Sequence, residues 1–193
     1  MTNVISWRWR GWMPSSTERD PDAPAIYVSS LHEMPGHVAR LGPSHLVSLV
    51  NPEEMPPTPG GITAERHLRV GVHDICDPLE GCIQPAIEHL EEVIGFLRRW
   101  EPDEGPVLIH CYAGVSRSMA TALIGLLVKA PGREAEAAAA LRAAAPHAQP
   151  NRRIVALADE ILSCGGQLLA ARDAMGYGPA IARGPLVALK LLR

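Results

Sequence analysis

The stretch HCYAGVSRS, residues 110–118, joins two apolar segments of different length. It follows the short run PVLI at 106–109 and precedes the longer run MATALIGLLV at 119–128. A short, continuously apolar run is typical of a strand buried in a parallel sheet, and the longer run predicts a core helix. Ligands of open α/β folds bind at the carboxyl ends of strands. The stretch therefore predicts a ligand-binding turn between a strand and a helix, with Cys111 at its start.

The residues of this turn suit it for binding an anion. Five residues form it: Tyr112, Ala113, Gly114, Val115 and Ser116. They turn the chain so that a helix over 116–129 begins with free backbone N–H groups directed at Cys111, an arrangement that binds anions. Gly114 supplies the backbone freedom that such a turn requires. Arg117 adds a planar fork of donors that matches two phosphate oxygens.

Cys111 is predicted to be a nucleophile. The positive end of a helix dipole favours the thiolate, which is the reactive form of cysteine. Ser118 can donate a hydrogen bond to the sulfur when it departs, and His110 is expected to order the backbone of the turn. Together these features predict attack on phosphorus, giving a cysteinyl-phosphate that water later cleaves. The alternative, a small buried cysteine beside a surface arginine, leaves the glycine and serine unexplained.

The chain from residue 24 onward alternates between strand and helix patterns. Four runs are rich in strand-forming residues: 25–31, 45–50, 67–75 and 106–111. Five segments are typical of helices: 83–100, 116–129, 133–145, 151–162 and 166–175. This alternation predicts a single α/β domain whose central, mostly parallel sheet has four to five strands flanked by helices.

The sequence divides into three parts, and its net charge bears on whether nucleic acid is a partner. Residues 1–23, which contain WRWRGW at 7–12, are predicted to be a poorly ordered extension. Residues 24–165 form the predicted domain, and residues 166–193 a C-terminal helix and tail. A net charge of −3 gives no reason to expect nucleic acid as a partner.

Cysteine content and hydropathy indicate a cytoplasmic protein. Four cysteines in 193 residues are too few for a disulfide framework. The longest apolar run, 119–128, is about half the length needed to span a bilayer, and no signal peptide is evident. We therefore expect no stable membrane association, and the sequence leaves the oligomeric state open.

No metal or other cofactor is predicted. The segment HEMPGH at 32–37 differs from a zinc-binding HExxH motif, because His32 and His37 are five residues apart and cannot share one helix face. Cys76 could form a disulfide with Cys111 under oxidation; the alternative is an ordinary loop cysteine.

The segment HCYAGVSRS resembles the signature loop of the cysteine-dependent protein tyrosine phosphatase superfamily, and more closely that of its compact dual-specificity-like branch of bacterial type. The resemblance extends over about residues 26–162, with Pro150 and Asn151 opening a late helix as in that branch. It implies the phosphatase fold, Cys111 as nucleophile, Arg117 as phosphate clamp and Ser118 as an aid to thiolate departure. Backbone N–H groups of residues 112–117 would bind the phosphate, and Asn151 would steady the loop.

The resemblance also implies a general acid on a separate loop, for which two aspartates compete. Asp74 directly follows the strand-forming run RVGVH, where the compact phosphatases carry their acid. Asp77 precedes Pro78, a common arrangement for a turn residue. Asp74 is favoured, and Asp77 stays open.

The expected substrate is a phosphorylated protein or peptide. Phosphotyrosine is the expected target, and phosphoserine and phosphothreonine are left open. The side chains of residues 112–116 are uncharged, which favours substrates with a single phosphate. Two alternatives remain: a rhodanese-like sulfurtransferase or arsenate reductase, and a non-catalytic module that binds phosphoproteins.

Overall fold

Residues 23–193 are described in this computed structural model. Apart from residue 23, the extension predicted for residues 1–23 lies outside the described residues. Five strands form one sheet in the order β3-β2-β4-β1-β5. Their bounds are β1 (Ile26–Ser30), β2 (His45–Val50), β3 (His67–Gly71), β4 (Val107–Cys111) and β5 (Val187–Leu189).

The sheet is mostly parallel, which confirms the predicted α/β fold. β4 is central and pairs in parallel with β1 and β2, and β2 pairs in parallel with β3. β5 pairs antiparallel with β1. The carboxyl ends of β1 and β4 lie together, because Ser30 is in register with Cys111. The turn of residues 112–116 begins at these carboxyl ends of the strands.

Six α-helices within residues 23–193 cover the sheet. Their bounds are α1 (Met34–Leu41), α2 (Ile87–Arg99), α3 (Arg117–Lys129), α4 (Glu134–Ala144), α5 (Arg152–Ile161) and α6 (Gln167–Ala174). The larger core cluster joins α2 to α6 with residues such as Val47 and Ile109. A smaller cluster joins α1 with Leu46 and Leu108. Since adjacent strand residues point to opposite faces, the two clusters lie on opposite faces of the sheet.

Helix α3 is the most deeply buried of the six. Its residues from Arg117 to Leu127 are all buried, in agreement with the apolar run from which a core helix was predicted. Burial on all sides fixes the position of its first turn relative to β4. The turn of residues 112–116 is therefore held between two rigid elements.

Two predicted elements are shorter in the structure than in the sequence pattern. The helix predicted from residue 83 begins at Ile87, since Pro85 disfavours helical backbone in the residue before it. Ile83 lies outside the helix and is 45% exposed. The third strand ends at Gly71 instead of continuing to residue 75, which leaves Asp74 on the loop that follows.

The C-terminal part of the chain contains α6 and the edge strand β5. The sequence did not predict β5. Three residues are too few to show an alternating pattern, and the strand exists through its pairing with β1. Consequently, the end of the chain is part of the central sheet.

Within residues 23–193, no helix is long and apolar enough to cross a membrane. The two histidines of HEMPGH are on different elements, because α1 begins at Met34 and includes only His37. The described part of the chain contains no cluster of three or more histidine, cysteine or acidic side chains arranged to hold a metal ion.

Candidate active site

Cys111 is the last residue of β4 and is almost fully buried, at 1% exposure. Its sulfur lies 3.1 Å from the Ser118 hydroxyl oxygen. The backbone N–H of Gly114 donates to the same sulfur at 3.2 Å. The thiol thus lies at the floor of the turn, between the Ser118 hydroxyl and the backbone N–H of Gly114.

The backbone carbonyls of the turn are hydrogen-bonded to surrounding segments. Tyr112, Ala113 and Val115 accept from the N–H groups of Leu31 (3.1 Å), Gly184 (2.8 Å) and Gln149 (3.0 Å), respectively. In a trans peptide the N–H points opposite to the C=O. The N–H groups that follow these carbonyls are therefore directed inward, as the bond from Gly114 to the Cys111 sulfur illustrates. This is the backbone geometry of an anion-binding loop.

Gly114 is required for two independent reasons. Its φ is +74°, a left-handed conformation that side chains rarely adopt. A Cβ on Gly114 would also lie 2.9 Å from the backbone carbonyl carbon and oxygen of Ser29. The mid-loop glycine expected from the sequence therefore provides both the turn and the close approach to β1.

Arg117 begins α3 and is buried, at 3% exposure. One terminal nitrogen, Nη1, donates to the Asn51 Oδ1 atom at 2.9 Å and to the Val72 carbonyl at 2.6 Å. These bonds fix the plane of the guanidinium. The Nε atom makes no hydrogen bond within residues 23–193 and lies 3.9 Å from Asp74 Oδ2. Donors thus remain for a phosphate.

Asp74 lies on the loop after β3, beside this arginine. Its Oδ1 atom accepts from the Ser116 hydroxyl at 2.7 Å and from the Asn151 side-chain amide at 2.8 Å. Asp77 is exposed and makes no hydrogen bond or ion pair within residues 23–193. Of the two candidate acids, Asp74 is the one held against the turn.

Asn151 connects three parts of the site. It is the N-cap of α5, where its Oδ1 accepts from the Ile154 N–H at 3.1 Å. Its backbone N–H donates to the Ser116 carbonyl at 3.4 Å, and its side-chain amide donates to Asp74. The exposed, unpaired Cys76 has its sulfur 3.9 Å from Asn151 Oδ1.

His110 belongs to a buried chain of hydrogen bonds under the turn. The Ser48 hydroxyl lies 2.6 Å from His110 Nε2 and 2.7 Å from His67 Nε2, and His67 Nδ1 lies 2.9 Å from the Thr58 hydroxyl. A hydroxyl has one proton to donate, so if Ser48 donates to one imidazole, it accepts from the other. Burial lowers the pKa of both His110 and His67 to about 4, so both rings are neutral at pH 7.

A hollow of about 370 Å³ lies at the carboxyl ends of the parallel strands, lined by Arg117, Asp74, Tyr112 and Asn51 among others. A larger hollow of about 470 Å³ lies around Cys164, beyond the far ends of α3 and α5. Burial, reinforced by Asp159, raises the pKa of the Cys164 thiol to about 11. That thiol is protonated and is a poor nucleophile, so the smaller hollow is the candidate active site.

The structure brings together all the residues proposed for the site except the alternative acid, Asp77. Two residues that contact the site were not predicted from the sequence. Asn51, which orients Arg117, directly follows β2; polar residues at the ends of parallel strands are a signal that could have identified it. Gly184, which supports the turn from the C-terminal segment, has no such signal.

Three solved structures illustrate what this chain is similar to. Human DUSP28 is 25% identical, with a TM-score of 0.55, over 74% of this chain and 90% of that one. DUSP15 is 23% identical, with a TM-score of 0.55, over 81% and 95%. The human tyrosine phosphatase-like serine/threonine/tyrosine-interacting protein is 17% identical, with a TM-score of 0.55, over 73% and 93%. No protein-family model matches the sequence, and no curated protein does.

Proposed function

The chain has the fold of the cysteine-dependent protein tyrosine phosphatase superfamily, in its dual-specificity-like branch, and from this premise we propose that it hydrolyses phosphotyrosine in proteins or peptides. The observation that carries the proposal is the placement of the Cys111 sulfur beneath an inward-facing row of backbone N–H groups. A thiol in that position can attack whatever tetrahedral anion the row binds.

Binding of the phosphate uses the turn and Arg117. The N–H groups of residues 112–117 donate to the non-bridging oxygens, and the free guanidinium donors of Arg117 pair with two of them. Asn51 and the Val72 carbonyl keep the guanidinium in place. Because these donors are fixed before substrate arrives, little reorganisation accompanies the build-up of charge in the transition state.

The reaction then has two steps. The Cys111 thiolate attacks phosphorus and the P–O bond to tyrosine breaks, while Asp74 gives its proton to the leaving oxygen. Water next attacks the cysteinyl-phosphate; Asp74 takes the proton from the water, and the P–S bond breaks to release inorganic phosphate. The Ser118 hydroxyl, 3.1 Å from the sulfur, stabilises the departing thiolate.

The finer features of the substrate are also proposals. Arg117 is the only cation among residues 112–118, which favours esters with one phosphate over polyanionic inositol lipids. Phosphoserine and phosphothreonine are proposed as further targets of the same site. All four cysteines of the chain lie within residues 23–193 and are unpaired, which supports a reducing compartment such as the cytoplasm.

The fold alone does not decide between turnover and binding, since one protein that shares it is named as phosphatase-like and as an interacting protein. Cys111, Arg117, Ser118 and Asp74 together support turnover. A rhodanese-like sulfurtransferase also places a cysteine in an anion-binding loop. Ser118 and Gly114 favour the phosphatase.

One experiment tests the proposal against both alternatives. We expect vanadate-sensitive hydrolysis of an aryl phosphate and of a phosphotyrosine peptide, no transfer of sulfur from thiosulfate, and a cysteinyl-phosphate trapped by rapid acid quench. Cys111→Ser should abolish turnover and retain binding of the phosphopeptide. Cys164→Ser is the matched control and should keep full activity, because Cys164 lies in the distant hollow. Binding without hydrolysis in the wild-type protein would favour the non-catalytic module.

A further inference from the structure

The C-terminal segment reaches the mouth of the proposed active site. β5 runs antiparallel to β1, with Val187 opposite Val28 and Leu189 opposite Ile26. The carboxyl end of β1 lies at the site, since Ser30 is in register with Cys111. The residues just before Val187 are therefore brought to the site. The residues after Leu189 lie towards the other end of the strands, where the parallel strands begin.

Gly184 anchors this segment to the phosphate-binding turn. Its N–H donates to the Ala113 carbonyl at 2.8 Å. A Cβ on Gly184 would lie 2.8 Å from the Gly114 oxygen and 2.9 Å from His147 Nε2, so the two backbones are in close contact. The contact holds the backbone of the preceding residue, Arg183, beside the turn.

Arg183 lines a second hollow that adjoins the proposed catalytic one. This hollow has a volume of about 270 Å³ and is lined by Leu31, His32, Tyr112, Ala182 and Arg183. Tyr112, which is 58% exposed, lines both hollows. A peptide whose phosphotyrosine occupies the catalytic hollow can therefore extend past Tyr112 into this second hollow. No acidic side chain lines this second hollow.

The charge of Arg183 is not neutralised by the protein. Arg183 is exposed and makes no hydrogen bond or ion pair within residues 23–193. A third hollow on the Asn151 side of the site also contains arginines, Arg152 and Arg172. Both of these pair with Asp173, at 3.3 and 2.8 Å. Of these three arginines, Arg183 is the one without a carboxylate partner.

We propose that Arg183 is a specificity-determining residue that binds an acidic side chain next to the phosphotyrosine of the substrate. The inference rests on the proposed phosphatase activity and names its substrate class: peptides with Asp or Glu on one side of the phosphorylated residue. An exposed ion pair contributes modestly, so the expected gain in kcat/KM is roughly two- to fivefold.

Phosphotyrosine peptides with a single glutamate test the proposal. The glutamate is moved through the three positions on each side of the phosphotyrosine, and each peptide is compared with its glutamine counterpart. We expect a gain on one side only, and we expect it to shrink as salt is raised, because exposed charges are screened. Equal kcat/KM for every pair would overturn the inference while leaving the phosphatase activity intact.

Three variants assign the effect to Arg183. Arg183→Gln should remove the preference for glutamate, and Arg183→Glu should reverse it in favour of lysine at the same position. Lys190→Gln removes the same charge from the same segment, but at the end of β5 that lies away from the site. This variant should keep the preference. Persistence of the preference in Arg183→Gln would overturn the assignment. Absence of hydrolysis of any peptide and of an aryl phosphate would overturn the proposed function and this inference with it.

Discussion

Asp74 uses only one of its two oxygens to hold its position. Both hydrogen bonds, from Ser116 and from Asn151, go to Oδ1. The other oxygen, Oδ2, has the Arg117 Nε atom 3.9 Å away. Because Oδ1 is occupied by two donors, the proposed mechanism assigns to Oδ2 the proton that is given to the leaving group. The carboxylate of Asp74 is thus oriented by Ser116, at the end of the turn, and by Asn151, at the start of α5.

Replacing the two aspartates separately tests this assignment. Asp74→Asn should lose roughly 10²- to 10⁴-fold in kcat on phosphotyrosine. The loss should be much smaller on activated aryl phosphates, because their leaving oxygens need no proton. Asp77→Asn is the control, because Asp77 is exposed and makes no hydrogen bond or ion pair within residues 23–193; it should lose little, and equally on all esters. Rates across a series of aryl phosphates measure the difference; a steep leaving-group dependence in Asp77→Asn instead would move the acid there.

Sequence reasoning was most informative for residues that are close together along the chain. Cys111, Gly114, Arg117 and Ser118 form one short motif, so their types and spacing indicate their chemistry. Asn51 is 66 residues away from the arginine it orients. A single asparagine after a strand has no spacing that connects it to a distant arginine, so only the register of β2 beside β4 brings it into the site.

Among the elements, the C-terminal segment around β5 has a direct effect on the phosphate-binding turn. Gly184→Ala would place a methyl group 2.8 Å from the Gly114 oxygen. Gly114 in turn lies close to β1, since a Cβ on it would be 2.9 Å from the Ser29 backbone, so movement of the turn in that direction is restricted. A shift of about 1 Å in a catalytic group can cost about 10²-fold in rate.

We therefore expect Gly184→Ala to lower kcat by roughly 10- to 100-fold on peptide and aryl phosphates alike. The control is Gly36→Ala in α1, where no atom lies within 4 Å of the added Cβ; it should keep normal kcat. Melting temperatures of both variants, measured beside kcat, separate loss of activity from loss of folding. Full activity in Gly184→Ala would show that the segment does not position the turn.

The predicted elements follow from patterns that are long enough to be recognised. The buried run of β4 and the nearly all-apolar α3 are continuous in the sequence, and both are present in the structure. The start of α2 was placed too early, because apolar spacing continues through Pro85 although helical backbone does not. β5 could not be predicted, since its three residues depend on an existing partner, β1.

At the scale of the whole molecule, two buried histidines make stability depend on pH. The pKa of His110 and of His67 is lowered to about 4 by burial, whereas an unfolded histidine titrates near its ordinary pKa, about 6.5. Between these values the unfolded chain binds more protons than the folded one, so stability falls as pH falls from about 6.5 to 4. The slope is up to about 1.4 kcal/mol per pH unit for each histidine.

Urea unfolding at several pH values measures this effect. His67→Gln removes one titrating ring and should give a shallower decrease in stability between pH 6.5 and 4.5 than the wild-type protein. His32→Gln is the matched control, since His32 is not buried, and its decrease should equal that of the wild type. An unchanged slope in His67→Gln would mean that His67 is not kept neutral by the fold.

The pairing of β5 with β1 also determines which surfaces other chains can reach. Without β5, the apolar strand β1 would present its unpaired backbone at the margin of the sheet, where it could recruit a strand from another molecule and begin aggregation. β5 covers that backbone with three residues; Pro185 lies two residues before the strand and Lys190 directly follows it. A short edge strand with a proline and a lysine nearby is a poor template for pairing with further strands. A copy that loses its last residues to a protease would therefore become prone to self-association.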